Sequence, residues 1–307
     1  MSALRTLVIV NPASGQGHAG RTWPRLARLI SDLGIAFDVV RSQGPGDATA
    51  LARRALKDGY QRLVVVGGDG TCNEVVNGFF ESGAPLNTEA TLVPLSFGTG
   101  CDLARSLGMP KGVAAVSRLV KGQPRRIDLG RAAYLGQQGQ PTQRYFVNYA
   151  DLVLGGETVQ QVQRLPKALG GFLAFLLGSS LAMLTHRGKR LHLLVDGATA
   201  FEGVSSLVVI SNGSYFGGGM HIAPMASLED GLFDVVILHG LGRGELIWNL
   251  PRVYRGTHVG DRRVQYMKGS RVEVVTAERV LIGMDGEQPG RASATFEIVP
   301  RALLVQT

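Results

Sequence analysis

Apolar residues in the first third of the chain fall into short β-type runs separated by segments with helical spacing. "TLVIV" (6–10), "FDVV" (37–40), "RLVVV" (62–66) and "TLVPL" (91–95) read as strands. Between them lie "RTWPRLARLISDLG" with its Gly34 stop, "GDATALARRALKDG" with Asp47 as N-cap and Gly59 past its end, and "NEVVNGFFESG", which opens a helix near Asn73. This alternation predicts βαβ units on a parallel sheet. From about residue 127 the texture changes. "RYFVNYADLVL", "KRLHLLVDG", "SSLVVISNG", "GLFDVVILHG", "SRVEVVTAE", "RVLIGMDGE" and "ATFEIVP" are short strands joined by Gly, Asp and Asn turns, the pattern of an antiparallel sandwich-like or barrel-like domain. The fold class is therefore α/β plus β. A parallel α/β domain over 1–126, completed by "RALLVQT" (301–307), precedes a β-rich domain over 127–300.

One segment stands apart from this alternation. "ALGGFLAFLLGSSLAMLT" (168–185) carries no charge over 18 residues, at the lower limit for a membrane span. Its three glycines and three Ser/Thr residues make it only moderately apolar, so it reads as a buried helix inserted in the second domain. Lys167 on one side and Arg187, Lys189 and Arg190 on the other also suit an interfacial position beside anionic lipid.

Composition agrees with a globular α/β chain: 45% apolar, 18% charged and 42 glycines in 307 residues. Two cysteines, Cys72 and Cys101, are too few for a disulfide framework or a four-cysteine metal site, and the N-terminal apolar run is too short for a signal peptide, so the expected setting is cytoplasmic. The six histidines form no zinc-binding spacing. The net charge of +8 points to an anionic partner.

Three strand ends carry loops suited to phosphate. The strand "RLVVV" runs into Gly67-Gly68-Asp69-Gly70-Thr71 and then into a helix, so unpaired N–H groups point at whatever sits beyond the sheet's carboxyl edge. Asp69 beside phosphate is repulsive unless a divalent metal or a donor-rich network mediates, which favours a metal–nucleotide over free phosphate. "VIVNPASGQG" places Asn11, Pro12, Ala13, Ser14 and Gly15 after the first strand, and "PLSFGTGCDLARSLG" places Gly98, Thr99 and Gly100 after another. In a doubly wound sheet such ends face one crevice. Neither a P-loop nor a strand-linked dinucleotide fingerprint occurs.

"NPASG", "GGDGTCNEVVNG", "GTGCDLARSLG", "SNGSYFGGGMHIAPMASLEDGLFDVVIL" and "MDGEQPG", in this order and spacing, resemble the diacylglycerol kinase catalytic domain family in its soluble bacterial branch, related to sphingosine and ceramide kinases. The resemblance spans nearly the whole chain. It implies a Rossmann-like first domain, a β-sandwich-like second domain, and ATP-dependent phosphorylation of a lipid hydroxyl, with ATP in the cleft between the domains and Mg²⁺ as companion ion. It places Asn11 to Gly15, Gly67 to Asn73 (Cys72 included) and Thr99 in the nucleotide site, with Ser42 a further contact. It assigns a metal site to Asp230 with groups of Ser227 and Leu232, and the catalytic base to the "DGE" turn, Glu287 with Asp285 beside it. The lipid partner implies peripheral contact with the inner face of the membrane, for a monomer or a dimer. The base region also reads simply as a hairpin turn, since Asp-Gly favours one.

Cys101 departs from the family, which usually has Asn there. A thiol at a helix N-terminus suits redox sensitivity, and the other reading is a small buried cysteine. Competing functions are a kinase for a soluble acceptor of the NAD kinase type, a non-catalytic lipid-binding member of the fold, and nucleic-acid binding. The last is disfavoured by basic residues scattered in pairs with no recognisable module.

Overall fold

The structure, a computed structural model, describes residues 4–98, 100–164 and 171–307. The chain divides into two compact units, Met1–Asp128 with Arg301–Thr307, and Leu129–Pro300.

The first unit is built on a parallel sheet. Strands β1 (Thr6–Val10), β2 (Phe37–Arg41), β3 (Arg62–Gly67) and β6 (Thr91–Ser96) are joined by α1 (His18–Asp32), α2 (Asp47–Lys57) and α3 (Asp69–Gly78), with a small hairpin of β4 (Phe80–Glu81) and β5 (Ala84–Pro85) before β6. The end of the final strand β16 (Glu287–Gln306) adds in parallel beside β6, with Leu304 opposite Thr91 and Val305 opposite Leu92, giving the order β2-β1-β3-β6-β16. Val8, Val10, Val64, Val66, Val93 and Leu95 point to one face and pack on Trp23, Leu26 and Ile30 of α1. The alternate residues Leu7, Ile9, Leu63, Val65 and Leu92 are also buried. Burial on both faces explains why these strands read as unbroken apolar runs. Two short helices, α4 (Asp102–Ser106) and α5 (Arg118–Lys121), follow β6.

Two helix starts differ from the sequence expectation. Asp47 is the first residue of α2 rather than its cap. Gly46 in the left-handed region takes that place, and the Asp47 carboxylate accepts the Gln43 N–H instead. Helix α3 begins at Asp69, a full turn before Asn73, because Gly68 is extended and its carbonyl already accepts the Cys72 N–H.

The second unit is antiparallel. It comprises β7 (Pro124–Gly136, most of it here), β8 (Pro141–Phe146), β9 (Tyr149–Val153), helices α6 (Leu154–Arg164) and α7 (Gly171–Thr185), β10 (Lys189–Val195), β11 (Ala198–Ser211), β12 (Phe233–His239), α8 (Arg243–Arg255), β13 (Val264–Gly269), β14 (Arg271–Val275), β15 (Leu281–Met284) and the first part of β16. The main order is β13-β12-β11-β10-β14-β16, with β9 bridging β11 and β15. The expected strand "RYFVNYADLVL" is two, since the chain turns at Val147–Asn148 between β8 and β9. Where one inserted helix was expected there are two, α6 and α7, and the first residues of the uncharged segment, 168–170, lie outside the described residues. Among the described residues no helix is long and apolar enough to cross a membrane.

Period-two alternation in β11 and β12 sets the layers. Val208, Ile210, Val235 and Ile237 enter a core with Phe146, Phe233 and Phe296. Leu207, Val209, Val236 and Leu238 face the other way, onto Ala182 and Met183 of α7 and Leu246 and Val253 of α8.

Candidate active site

In the first unit the three loops after β1, β3 and β6 touch one another, and glycine makes this possible. A Cβ on Gly98 would sit 2.7 Å from the Gly68 Cα, and one on Gly15, at φ +57°, would sit 2.3 Å from the Phe97 carbonyl oxygen. Asn11 Nδ2 donates to Thr71 Oγ1 at 2.9 Å, tying the first loop to the first turn of α3, while Asn11 Oδ1 accepts the Ala13 N–H at 3.1 Å. Ser14 Oγ would meet a Cβ on Gly68 at 3.3 Å. The early start of α3 puts Asp69, Gly70 and Thr71 in its first turn, where N–H groups have no partner within the helix and the dipole is positive.

Asp69 turns inward. Its two oxygens accept the N–H groups of Asp102 at 3.1 Å and Leu103 at 3.2 Å, so it caps α4 and holds the third loop against the second. Burial raises its pKa, opposed by these donors and by the Cys101 N–H. This is the donor-rich network that a carboxylate beside phosphate requires, and it is supplied by backbone. Ser42 is buried at the end of β2, its N–H bonded to the Val10 carbonyl at 2.9 Å. Cys72 and Asn73 are buried within α3. Thr99 lies outside the described residues. Cys101, at φ +53°, donates its thiol to the Gly98 carbonyl at 3.0 Å, and burial with the nearby Asp69 pushes its pKa up to about 11. Of the two readings of Cys101, the small buried cysteine fits: the thiol stays protonated at neutral pH, because burial outweighs the start of a short helix.

The "DGE" turn is a two-residue hairpin, with Met284 opposite Glu287 and positive φ at both Asp285 (+45°) and Gly286 (+86°). Its two carboxylates differ. Asp285 is 3% exposed and accepts three backbone N–H groups, from Val147 at 2.7 Å and from Asn148 and Tyr149 at 3.0 Å, so it pins the hairpin to the β8–β9 turn. Glu287 is part exposed and paired with Arg144 Nη1 at 2.7 Å. Only Glu287 presents a carboxylate not saturated by backbone.

Ser227, Asp230 and Leu232 share one turn before β12. Asp230 Oδ1 accepts the Leu232 N–H at 3.2 Å, its Oδ2 is bonded to Lys268 Nζ at 2.7 Å, and Ser227 Oγ accepts the Glu229 N–H at 3.3 Å. The same ammonium lies 3.4 Å from the buried Asp234 carboxylate. A divalent ion here would share Asp230 with a cation already in place, and among the described residues no cluster of three or more His, Cys, Asp or Glu could hold a metal.

Four residues that sequence reasoning did not single out matter here. Glu74 accepts the Gly46 and Ala48 N–H groups at 2.8 and 3.1 Å and so fixes the start of α2. Arg144 and Lys268 pair with the expected site residues. Asp151, 2% exposed, lines a narrow apolar cavity of about 70 Å³ between the sheet and α6, α7 and α8, alongside Leu154, Met183, Phe216 and Leu246. Among the described residues its Oδ1 has no hydrogen-bond partner, and burial pushes its pKa up to about 7, against one Gly283 N–H. A single carboxylate inside the apolar run "NYADLVL" was the available signal.

The folds of known kinases resemble this one. A diacylglycerol kinase structure from Bacillus anthracis str. Sterne superposes with TM-score 0.71 at 19% identity, covering 99% of this chain and 97% of that chain, and yeast NADH kinase with TM-score 0.54 at 12% identity, covering 100% and 84%. Residues 5–132 match the diacylglycerol kinase catalytic domain, and residues 155–307 the YegS C-terminal NAD kinase beta sandwich-like domain. The diacylglycerol kinases of Bacillus subtilis (strain 168) and Staphylococcus carnosus (strain TM300) are 31% and 30% identical, each over 95% of this chain and over 92% and 91% of their own lengths. The two units and their loops thus define a kinase that phosphorylates an alcohol. The chain belongs to the diacylglycerol kinase catalytic domain family, with bacterial diacylglycerol kinases among its relatives.

Proposed function

We propose that the protein transfers the γ-phosphate of ATP to a hydroxyl of a membrane lipid, with diacylglycerol, named in its relatives, as the first acceptor to try. The apolar cavity of the second unit carries this reading: it offers an acyl chain a lining of Leu, Met and Phe side chains and one buried carboxyl, Asp151, to orient a polar group. The cavity is narrow, so a full chain enters as α6, α7 and α8 part. The loops around Gly15, Gly68 and Gly98 and the first turn of α3 hold the phosphates through backbone N–H groups. A Mg²⁺ ion bound with the nucleotide would neutralise phosphate charge. Glu287 takes the acceptor's hydroxyl proton, Arg144 orients it, and Asp285 fixes the turn.

Exposed apolar side chains of the same unit support peripheral membrane contact. Leu177, Leu181 and Leu184 are exposed on one face of α7, and Ile247 and Trp248 on α8, with Trp248 84% exposed. Arg187, Arg243 and Arg255 are exposed in the same region of sequence.

The test is incubation of the purified protein with labelled ATP, Mg²⁺ and mixed micelles of diacylglycerol, phosphatidylglycerol, sphingosine or ceramide, with NAD as soluble competitor. Label on a lipid supports the proposal. Label on NAD alone replaces it with the soluble-acceptor reading, and no transfer to any acceptor sinks both.

A further inference from the structure

A second concavity, of about 330 Å³, lies on the β-rich unit between the end of β7, α6 and the β15–β16 pair. Its polar lining is Gln137, Gln160, Arg279, Gln288 and Arg291, with Leu281 the one apolar side chain. We propose that this pocket binds the phosphate monoester of a small hydroxylated headgroup.

Charge carries the argument. Neither Arg279 nor Arg291 has an ion pair or side-chain hydrogen bond among the described residues, and no acidic side chain lines the pocket. The acids nearby are committed elsewhere: Glu278 to Lys189 at 3.2 Å, Glu287 to Arg144 at 2.7 Å, and Glu297 to Arg131 and Arg271. Two guanidiniums in one recess repel each other and bring ten N–H donors without an acceptor. A phosphate supplies both the charge and the geometry, since its oxygens match the guanidinium fork.

The neutral lining narrows the class of ligand. Gln137 Nε2 donates to the Gln288 carbonyl at 2.9 Å, and Gln288 Nε2 to the Gly290 carbonyl at 2.6 Å. Each bond uses one of the two N–H donors of its amide, and both carboxamide oxygens remain to accept from hydroxyls. Among the described residues no aromatic side chain lines the recess to stack on a base, which disfavours a nucleotide. The pocket shares its strands with the "DGE" hairpin: Leu281 pairs with Arg291, and Gln288 follows Glu287. A bound headgroup therefore bears on the arm that carries Glu287.

The test is calorimetric titration of the full chain at low salt with free glycerol phosphate, and in parallel with phosphatidylcholine vesicles with and without lysophosphatidic acid, whose headgroup keeps a free hydroxyl beside its phosphate monoester. No ATP or acceptor is present, so the outcome is independent of the kinase reading. The pocket variant is R279Q/R291Q, and R25Q/R28Q removes the same charge from exposed positions of the first unit. Saturable binding weakened about tenfold or more in the pocket variant alone is expected. Binding in the glycerol phosphate arm identifies a soluble ligand, and binding only to lysophosphatidic acid vesicles identifies a lipid headgroup. Absence of binding in both arms, or equal loss in both variants, overturns the proposal. If R279Q/R291Q melts early, R279K/R291K keeps the charge without the fork and should still bind more weakly than the unmodified protein; equal affinity overturns the proposal.

Discussion

Replacing Asp285 and Glu287 one at a time separates a carboxylate that holds a turn from one that faces chemistry. Glu287→Gln should reduce turnover by roughly 10²–10⁴-fold with ATP affinity and melting midpoint nearly unchanged. Asp285→Asn turns an NH₂ toward backbone donors, and should cost about 1–3 kcal/mol of stability as well as turnover, read from denaturant unfolding. Retention of full stability by Asp285→Asn would remove the distinction. Asp151 predicts a pH effect of definite sign. Its folded pKa, about 7, is raised above the ordinary value by burial, so between pH 4 and 7 the native state holds a proton that the unfolded chain has released. Its contribution to stability is complete below the unfolded pKa and declines as pH rises toward 7, with a slope of up to ~1.4 kcal/mol per pH unit. Asp151→Asn should flatten that decline, measured as melting temperature from pH 4.5 to 8. The "DGE" turn was legible because Asp-Gly signals a hairpin, but its partner Arg144 sits 143 positions upstream of Glu287 and only tertiary structure pairs them.

Between elements, contacts are made through glycine and through side chains that cap a neighbour's helix. Helix α3 lies so close to α2 that a Cβ on Gly78 would fall 2.6 Å from the Ala52 Cβ and 2.7 Å from the Thr49 carbonyl oxygen. Gly78→Ala should therefore destabilise the chain by about 1–3 kcal/mol, despite alanine's better helix propensity, in thermal or urea unfolding. A gain in stability would show that the two helices move apart freely. Asp69→Ala removes the acceptor for two N–H groups of α4 and should weaken ATP binding about tenfold or more while leaving the fold intact, judged by titration beside circular dichroism. Near-wild-type affinity would sever the link between loop order and nucleotide. Strand positions were readable from the chain because both faces of β1, β3, β11 and β12 are buried. Helix starts were less so. The true caps are glycines, whose conformations rather than side chains begin α2 and α3, and sequence rules look for side chains.

At the scale of the whole molecule, the charge of +8 and the exposed Leu177, Leu181, Leu184 and Trp248 would contribute differently to the membrane attachment proposed above. Attachment to vesicles with anionic lipid should weaken as salt rises, because screening shortens the reach of the basic charge. Trp248→Ser with Leu181→Ser should remove the binding that survives high salt, measured by sedimentation; salt-independent binding to neutral vesicles would contradict the electrostatic part. The division into an alternating α/β half and a β-rich half could be read from texture alone, and so could the return of the last residues. The cavity beneath α6, α7 and α8 could not, because it is formed by residues from many separate elements. The return of the chain has a consequence for synthesis. The sheet of the first unit is finished by Leu304 and Val305 against β6, and these residues leave the ribosome only after all of 129–300. Throughout translation β6 is thus an uncovered edge, open to pairing with a neighbouring nascent chain, and the half made first is closed last.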